Sequence, residues 1–158
     1  LAALDHRSRT GQGQHIDLAV LAGQTPRVLR MLDGLRAEGE APVLVHWTLA
    51  EDIRALKRVK DAVGHGKPLP MAMTEQRVWG VRQRLFERLV PMLADHTLAH
   101  LVEAASICDG LVKGLKHPGW PLDPWDGLKR LALMVVQHTA TPPKPHQAGL
   151  RLALQVAF

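Results

Sequence analysis

The chain has 158 residues, 46% of them hydrophobic, so it can bury the core of one domain and is not a disordered chain. Its net charge is +5, but the 20 basic and 15 acidic residues are interleaved, which favours a solvated surface over a concentrated nucleic-acid site. No apolar run approaches the roughly 20 residues that cross a bilayer, and no signal peptide is recognisable.

Residue usage favours helices. Leu, Ala and Arg are abundant, whereas the chain has only two Phe and no Tyr, so a helical bundle is expected rather than a sheet. The single cysteine, Cys108, cannot form an internal disulfide and lies among apolar residues. We therefore expect a buried, unreactive thiol in a protein of the reduced cytoplasm.

The first predicted helix begins at Thr25 and Pro26 and ends near Gly39. A second helix starts at Pro42, where the missing N–H costs no hydrogen bond. Its apolar residues recur at helical spacing and form a stripe suited to a core: Val45, Leu49, Ile53, Leu56 and Val63.

The other side of this second helix carries Trp47, Glu51, Arg54 and Arg58. Trp and Arg side chains dominate the binding energy of many protein interfaces. We therefore predict that these four residues contact another subunit, with a packed aromatic as the alternative interpretation of Trp47.

A third helix is predicted from an N-cap at Thr74, with Glu75 at its positive end. Its expected buried stripe consists of Val78, Val81, Leu85, Leu89 and Met92, and Trp79 beside the stripe is expected to pack.

A fourth helix opens at Asp95, with an apolar series that continues toward Gly119: Leu98, Leu101, Ala105, Cys108, Val112 and Leu115. Asp123 is the predicted N-cap of a fifth helix, with Pro124 at its first position, ending near His138.

These patterns predict an all-α protein, an antiparallel bundle of about five helices over residues 21–140. Residues 1–20 are interpreted as a segment of foreign or uncertain origin, and residues 141–158 as a Pro-rich linker with an apolar tail. Alternating apolar residues from Leu150 to Phe158 fit either a short strand or a disordered tail.

Four blocks carry a family resemblance: residues 32–56, RVWG at 77–80, DGLVKGL at 109–115 and DPWD at 123–126. In this order they resemble the C-terminal part of the bacterial DNA polymerase III delta subunits, over about residues 18–140. Delta is part of the clamp loader, which places the sliding clamp on DNA during replication.

The resemblance implies a collar domain, the helical domain through which clamp-loader subunits join in a ring. It implies other clamp-loader subunits as partners, weak or indirect DNA contact, no cofactor and no catalytic residue of the chain's own. The clamp-gripping part of delta has no counterpart in these blocks, so we expect assembly without clamp opening.

Residues 3–21, with Thr-Gly-Gln-Gly-Gln at 10–14, resemble a short signature of the family III CoA-transferases, which leads into a strand. The aspartate that carries the covalent intermediate in that family lies upstream of the signature and is not Asp17. A CoA-transferase remnant is therefore one alternative hypothesis, without expected activity.

Two further patterns are typical of ligand sites but favour simpler interpretations. The glycines at 10–14 lack the Gly-Lys-Ser/Thr ending of a phosphate loop, which favours a turn. His96, His100 and Glu103 share a helix face that could present ligands to zinc, but the pattern lacks a convincing fourth ligand, which favours a solvated face.

Arg77, Arg82, Arg84 and Arg88 are the candidate DNA contacts. Glu75 and Glu87 lie among them, which favours a solvated surface as the alternative. A basic helical DNA-binding module is accordingly the third hypothesis.

Overall fold

The computed structural model describes residues 12–140, with side chains from residue 16 onward. These residues form seven helices: α1 (Gln12–Leu21), α2 (Thr25–Ala37), α3 (Pro42–Gly64), α4 (Leu69–Glu75), α5 (Val81–Met92), α6 (Asp95–Val112) and α7 (Pro124–Thr139). The predicted all-α bundle is confirmed, with seven helices rather than about five. The predicted linker at 141–145 and the predicted strand or disordered tail at 150–158 lie outside the described residues.

The third predicted helix corresponds to α5, which begins at Val81 rather than just after Thr74, and the short helix α4 before it was not predicted. Between them Arg77 adopts a left-handed backbone conformation with φ of 55°, which an α-helix does not contain. The N-cap prediction for Thr74 is wrong, because Thr74 lies near the end of α4 and its hydroxyl donates to the Pro70 carbonyl oxygen at 2.9 Å. Glu75 is accordingly the last residue of a helix rather than one of its first.

Other predicted helix ends are confirmed. Gly39 has φ of +80° just after α2, and the Glu40 N–H donates to the Leu35 carbonyl at 3.0 Å, which terminates the helix as glycine caps do. Asp123 caps α7 by accepting a hydrogen bond from the Trp125 N–H at 2.7 Å, with Pro124 at the first helical position.

Helix α3 runs through the whole core, because its apolar stripe contributes to two clusters of buried side chains. One cluster joins α3 to α1, α2, α6 and α7, and the other joins it to the end of α1, to α4 and α5, and to the beginning of α6. The predicted stripe of α3 is confirmed for Val45, Leu49, Ile53 and Leu56, which are buried, whereas Val63 is partly buried.

The predicted stripe of the third helix is partly wrong. Val81 is 59% exposed, Met92 is 44% exposed and Trp79 is 64% exposed, because the turn at Arg77 changes which side of the chain faces α3. The buried residues of α5 are Phe86, Leu89 and Val90. Helix α6 likewise ends before Leu115, which is 67% exposed.

Helix directions follow from side-chain contacts. Arg82 and Lys60 bridge α5 and α3 through the pairs Arg82–Asp52 and Lys60–Val90, so these two helices run in the same direction. Helices α2 and α7 run in opposite directions, because Asp33 pairs with Lys129 at 2.7 Å and Arg36 with Asp123 at 3.1 Å.

Helix α1 is part of the bundle. Its residues Ile16, Ala19, Val20 and Leu21 are buried in the core, so the proposed boundary at residue 20 falls inside a packed helix. No helix among residues 12–140 is long and apolar enough to cross a bilayer.

Candidate functional site

The exposed side of α3 carries the predicted interface residues. Trp47 is 38% exposed, and Arg58 joins the row by donating to the Glu51 carboxylate at 2.6 Å and to the Gln76 side-chain oxygen at 2.5 Å. Val43, 41% exposed, extends the row by one helical turn. The structure thus places Trp47, Glu51, Arg54 and Arg58, with Val43, along one surface, which we call the α3 face.

The end of α6 borders the α3 face. Lys113 donates to the Asp109 carboxylate at 2.7 Å. That hydrogen bond is the largest cause that holds the pKa of Asp109 below its ordinary value, and the charges of Lys113 and Arg54 act in the same direction. Arg54 therefore lies close enough to Asp109 to connect the α3 face electrostatically with α6.

His46 links these two helices from beneath the surface and was not among the predicted site residues. It is 2% exposed, and its Nε2 lies 2.8 Å from the Ala105 carbonyl oxygen, so Nε2 carries the proton and donates it. Burial lowers the pKa of His46, and this effect outweighs the hydrogen bond to Ala105 and the nearby Asp109 carboxylate. The imidazole is therefore neutral and structural at neutral pH.

The structure separates the four candidate DNA-contact arginines. Arg77 and Arg84 are exposed. Arg88 instead donates to the backbone carbonyls of Leu21 at 3.1 Å and Thr139 at 3.0 Å, and Arg82 pairs with the buried Asp52 carboxylate. Two of the four guanidinium groups are thus engaged in holding helices together.

Trp79 provides an exposed aromatic side chain near the exposed Arg77 and Arg84. It lies in the turn between α4 and α5, two residues beyond Arg77, and its exposed fraction of 64% exceeds that of Trp47. The apolar periodicity of the sequence continues across this turn, so it did not indicate that Trp79 is exposed. We call Arg77, Trp79 and Arg84 the α4–α5 surface.

A buried polar cluster that no sequence motif indicated lies at the junction of α1, α3 and α5. Asp17 is 2% exposed and Asp52 is 5% exposed, and the Arg82 guanidinium donates to Oδ1 of Asp52. Burial, followed by the charge of Asp17, raises the pKa of Asp52 to about 7, against the opposing effect of Arg82. Asp17 and Asp52 are 35 residues apart in the sequence, and Asp52 and Arg82 are 30 residues apart, so no local sequence motif could indicate this cluster.

The remaining candidate sites are dispersed. His96, His100 and Glu103 are exposed on α6, and across residues 12–140 no group of three or more His, Cys, Asp or Glu side chains is arranged to hold a metal ion. Cys108 is buried as predicted, and burial raises the pKa of its thiol to about 12, which disfavours the nucleophilic thiolate.

The Thr-Gly-Gln-Gly-Gln stretch is only partly described. Thr10 and Gly11 lie outside the described residues, and Gln12 begins α1, so the strand start that the CoA-transferase signature implies is helical here.

No protein-family model matches the chain, and no curated protein matches it.

Proposed function

We propose that this chain is the C-terminal oligomerisation domain, the collar domain, of a DNA polymerase III delta subunit in the clamp loader. In this proposal it is a non-catalytic, cytoplasmic subunit of the replication machinery whose partners are the other clamp-loader subunits. The order of the four sequence blocks supports this proposal, and the all-α bundle is compatible with it. The single observation that carries it is the α3 face.

The α3 face has the composition of an interface. It combines an exposed Trp with Arg side chains, the residues that most often contribute strongly to binding. Arg58 is already oriented by Glu51 and Gln76, so less side-chain entropy is lost when a partner binds. Because α3 also runs through both core clusters, a partner on this face would contact the most extensively packed helix of the bundle.

Binding of single-stranded DNA is a second proposed activity, compatible with a place in the clamp loader. The α4–α5 surface favours it, because Trp79 offers an exposed ring for base stacking and Arg77 and Arg84 offer charge for phosphates. Stacking of one base on an aromatic ring contributes about 1–3 kcal/mol without requiring a particular sequence. No particular residue favours the CoA-transferase hypothesis.

Two tryptophan variants test the two surfaces separately. Size-exclusion chromatography with light scattering would follow the chain mixed with the remaining clamp-loader subunits. We expect co-elution, weakened about tenfold or more by Trp47→Ala and retained by Trp79→Ala. If the wild-type chain fails to co-elute at micromolar concentration, the collar proposal is wrong.

The same two tryptophan variants test DNA binding, with Trp47→Ala now as the control. Fluorescence anisotropy with a labelled single-stranded oligonucleotide is expected to show weaker binding for Trp79→Ala and unchanged binding for Trp47→Ala. Arg77→Ala is expected to reduce the salt dependence of binding, because one phosphate contact is lost. Equal affinity of all variants would exclude the α4–α5 surface as the DNA site.

A further inference from the structure

One side of helix α5 is exposed from its first residue to its last. The exposed side chains are those of Val81, Arg84, Glu87, Pro91 and Met92. Because an α-helix turns by about 100° per residue, these positions lie on one side of α5, opposite the residues that it buries in the core. These five side chains are therefore accessible to a partner.

Trp79 extends this surface just beyond the beginning of α5. Trp79 and Val81 are more exposed than buried, and Met92 is exposed at the other end of the helix. Large apolar side chains that lie together in water are typical of surfaces that bind another protein. We call Trp79, Val81, Arg84, Glu87, Pro91 and Met92 the α5 face.

The two charged residues of the α5 face have opposite signs. Arg84 and Glu87 are three residues apart, so they lie about one helical turn from each other near the middle of α5. Glu87 accepts a hydrogen bond from the neutral Gln83 amide at 3.1 Å. Neither Arg84 nor Glu87 forms an ion pair within the described part of the chain. A partner with the reverse arrangement of charges would complement both.

The order of these residues makes the α5 face complementary to itself. In two antiparallel helices related by a two-fold axis, residues that are equally far from the axis lie opposite each other. If the axis passes just after Leu85, Arg84 lies opposite Glu87 of the second copy, and Trp79 lies opposite its Met92. Each of these contacts then forms twice. Both are favourable, because opposite charges attract and a methionine sulfur packs well against an aromatic ring.

A second copy suits the α5 face better than a nucleic acid does. The Glu87 carboxylate would lie close to the phosphates of a bound strand, and like charges repel. A second copy instead brings its Arg84 to that carboxylate. Helix α5 has 12 residues and is about 18 Å long, so its face is smaller than the roughly 800 Å² per partner of a stable interface. We therefore expect a weak dimer that dissociates on dilution.

We propose that the α5 face is a dimerisation surface on which α5 packs antiparallel against α5 of a second copy of this chain. The dimer uses no residue of the α3 face, so it is independent of the collar proposal, and either can fail without the other. It shares Trp79 and Arg84 with the α4–α5 surface, so its association is measured on the chain free of nucleic acid.

Sedimentation velocity over a range of concentrations tests the dimer on the full chain. We expect the mean mass to rise from that of one chain toward twice that value as the concentration increases. Glu87→Arg should weaken the dimer about tenfold or more, because Arg84 of each copy then faces a like charge. Trp79→Ala should also weaken it, through loss of the contact with Met92.

Exchanging the two charges gives the decisive variant. Arg84→Glu combined with Glu87→Arg restores opposite charges across the two-fold axis, so we expect it to recover the dimer that Glu87→Arg alone loses. Glu103→Arg is the matched control, since it makes the same change of charge at an exposed position of α6, and it should leave association unchanged.

Four outcomes would overturn the dimer. The wild-type chain could stay monomeric up to about 1 mM, Glu87→Arg could associate as well as wild type, Glu103→Arg could weaken association equally, or the charge exchange could fail to restore it. If the chain stays monomeric while Trp79→Ala weakens binding of a single-stranded oligonucleotide, the occupant of this surface is nucleic acid and not a second copy. The wild-type measurement needs no substitution, so the proposal can fail even if a variant does not fold.

Discussion

The Thr139 hydroxyl donates a hydrogen bond of 2.7 Å to the backbone carbonyl of Val20, which joins the end of α7 to the end of α1. Thr139 is fully buried, so water cannot replace this bond. The contact ties the helix formed by residues 12–21, which lie at the edge of the family resemblance, to the last described helix.

Thr139→Val removes this hydrogen bond while keeping the shape of the side chain. We expect the free energy of unfolding to fall by about 1–2 kcal/mol, because the Val20 carbonyl loses a buried partner. Urea denaturation measures the change. Thr74→Val is the control, since that hydroxyl is exposed and bonds within α4, and it should change stability by less than about 0.5 kcal/mol.

Arg88 reinforces the same junction through its bonds to the Leu21 and Thr139 carbonyls. Arg88→Met keeps most of the aliphatic stem but removes both hydrogen bonds, and we expect a loss of about 2 kcal/mol in the free energy of unfolding. Arg84→Met, on the exposed side of the same helix, should cost less than about 0.5 kcal/mol. Equal losses in denaturant unfolding would show that Arg88 acts as a surface charge.

Local chemistry accounts for the parts of the fold that the sequence predicts well. The ends of helices at Gly39, Pro42 and Asp123 follow from backbone rules that act within a few residues. The core stripe of α3 follows from helical periodicity, because a buried helix must repeat its apolar residues on one side. These features need no knowledge of which helices are neighbours.

The wrong predictions for the third helix and its buried residues also have a physical cause. Apolar spacing continues from Val78 to Met92, so periodicity predicts one helix, but Arg77 adopts a left-handed conformation that its residue type does not signal. That turn exposes Trp79 and turns Arg82 inward toward Asp52. Periodicity could have flagged Asp52, which lies three residues after Leu49 on the buried side of α3, but its partners are set by tertiary packing.

Close packing at the junction of α1 and α7 predicts different effects for two glycines. Gly23 and Gly39 both have positive φ, so alanine strains the backbone by about 1–2 kcal/mol at either position. A Cβ at Gly23 would also lie 2.4 Å from the Ala140 Cα, whereas a Cβ at Gly39 meets open space. We expect Gly23→Ala to lower the free energy of unfolding by more than about 3 kcal/mol and Gly39→Ala by about 1 kcal/mol.

Urea denaturation of both glycine variants measures whether their losses of stability differ as expected. Similar losses for Gly23→Ala and Gly39→Ala would mean that the Ala140 backbone moves aside easily, and the junction would then not be closely packed.

His46→Gln is expected to change how stability depends on pH. Burial lowers the pKa of His46 below 6.5, so the unfolded chain takes up a proton that the folded chain does not, and this group's contribution to stability falls as pH drops below 6.5. Glutamine is neutral and can still donate to the Ala105 carbonyl. The stability advantage of wild type over His46→Gln should therefore be constant above neutrality and shrink in acid.

Asp52, whose pKa is raised by burial, is present in both chains, so its opposite pH dependence cancels in this difference. Denaturant unfolding of both chains across the range from acid to neutral pH measures it. An advantage of wild type that stays constant in acid would contradict a neutral, buried His46, because a folded and an unfolded imidazole with equal pKa values contribute no slope.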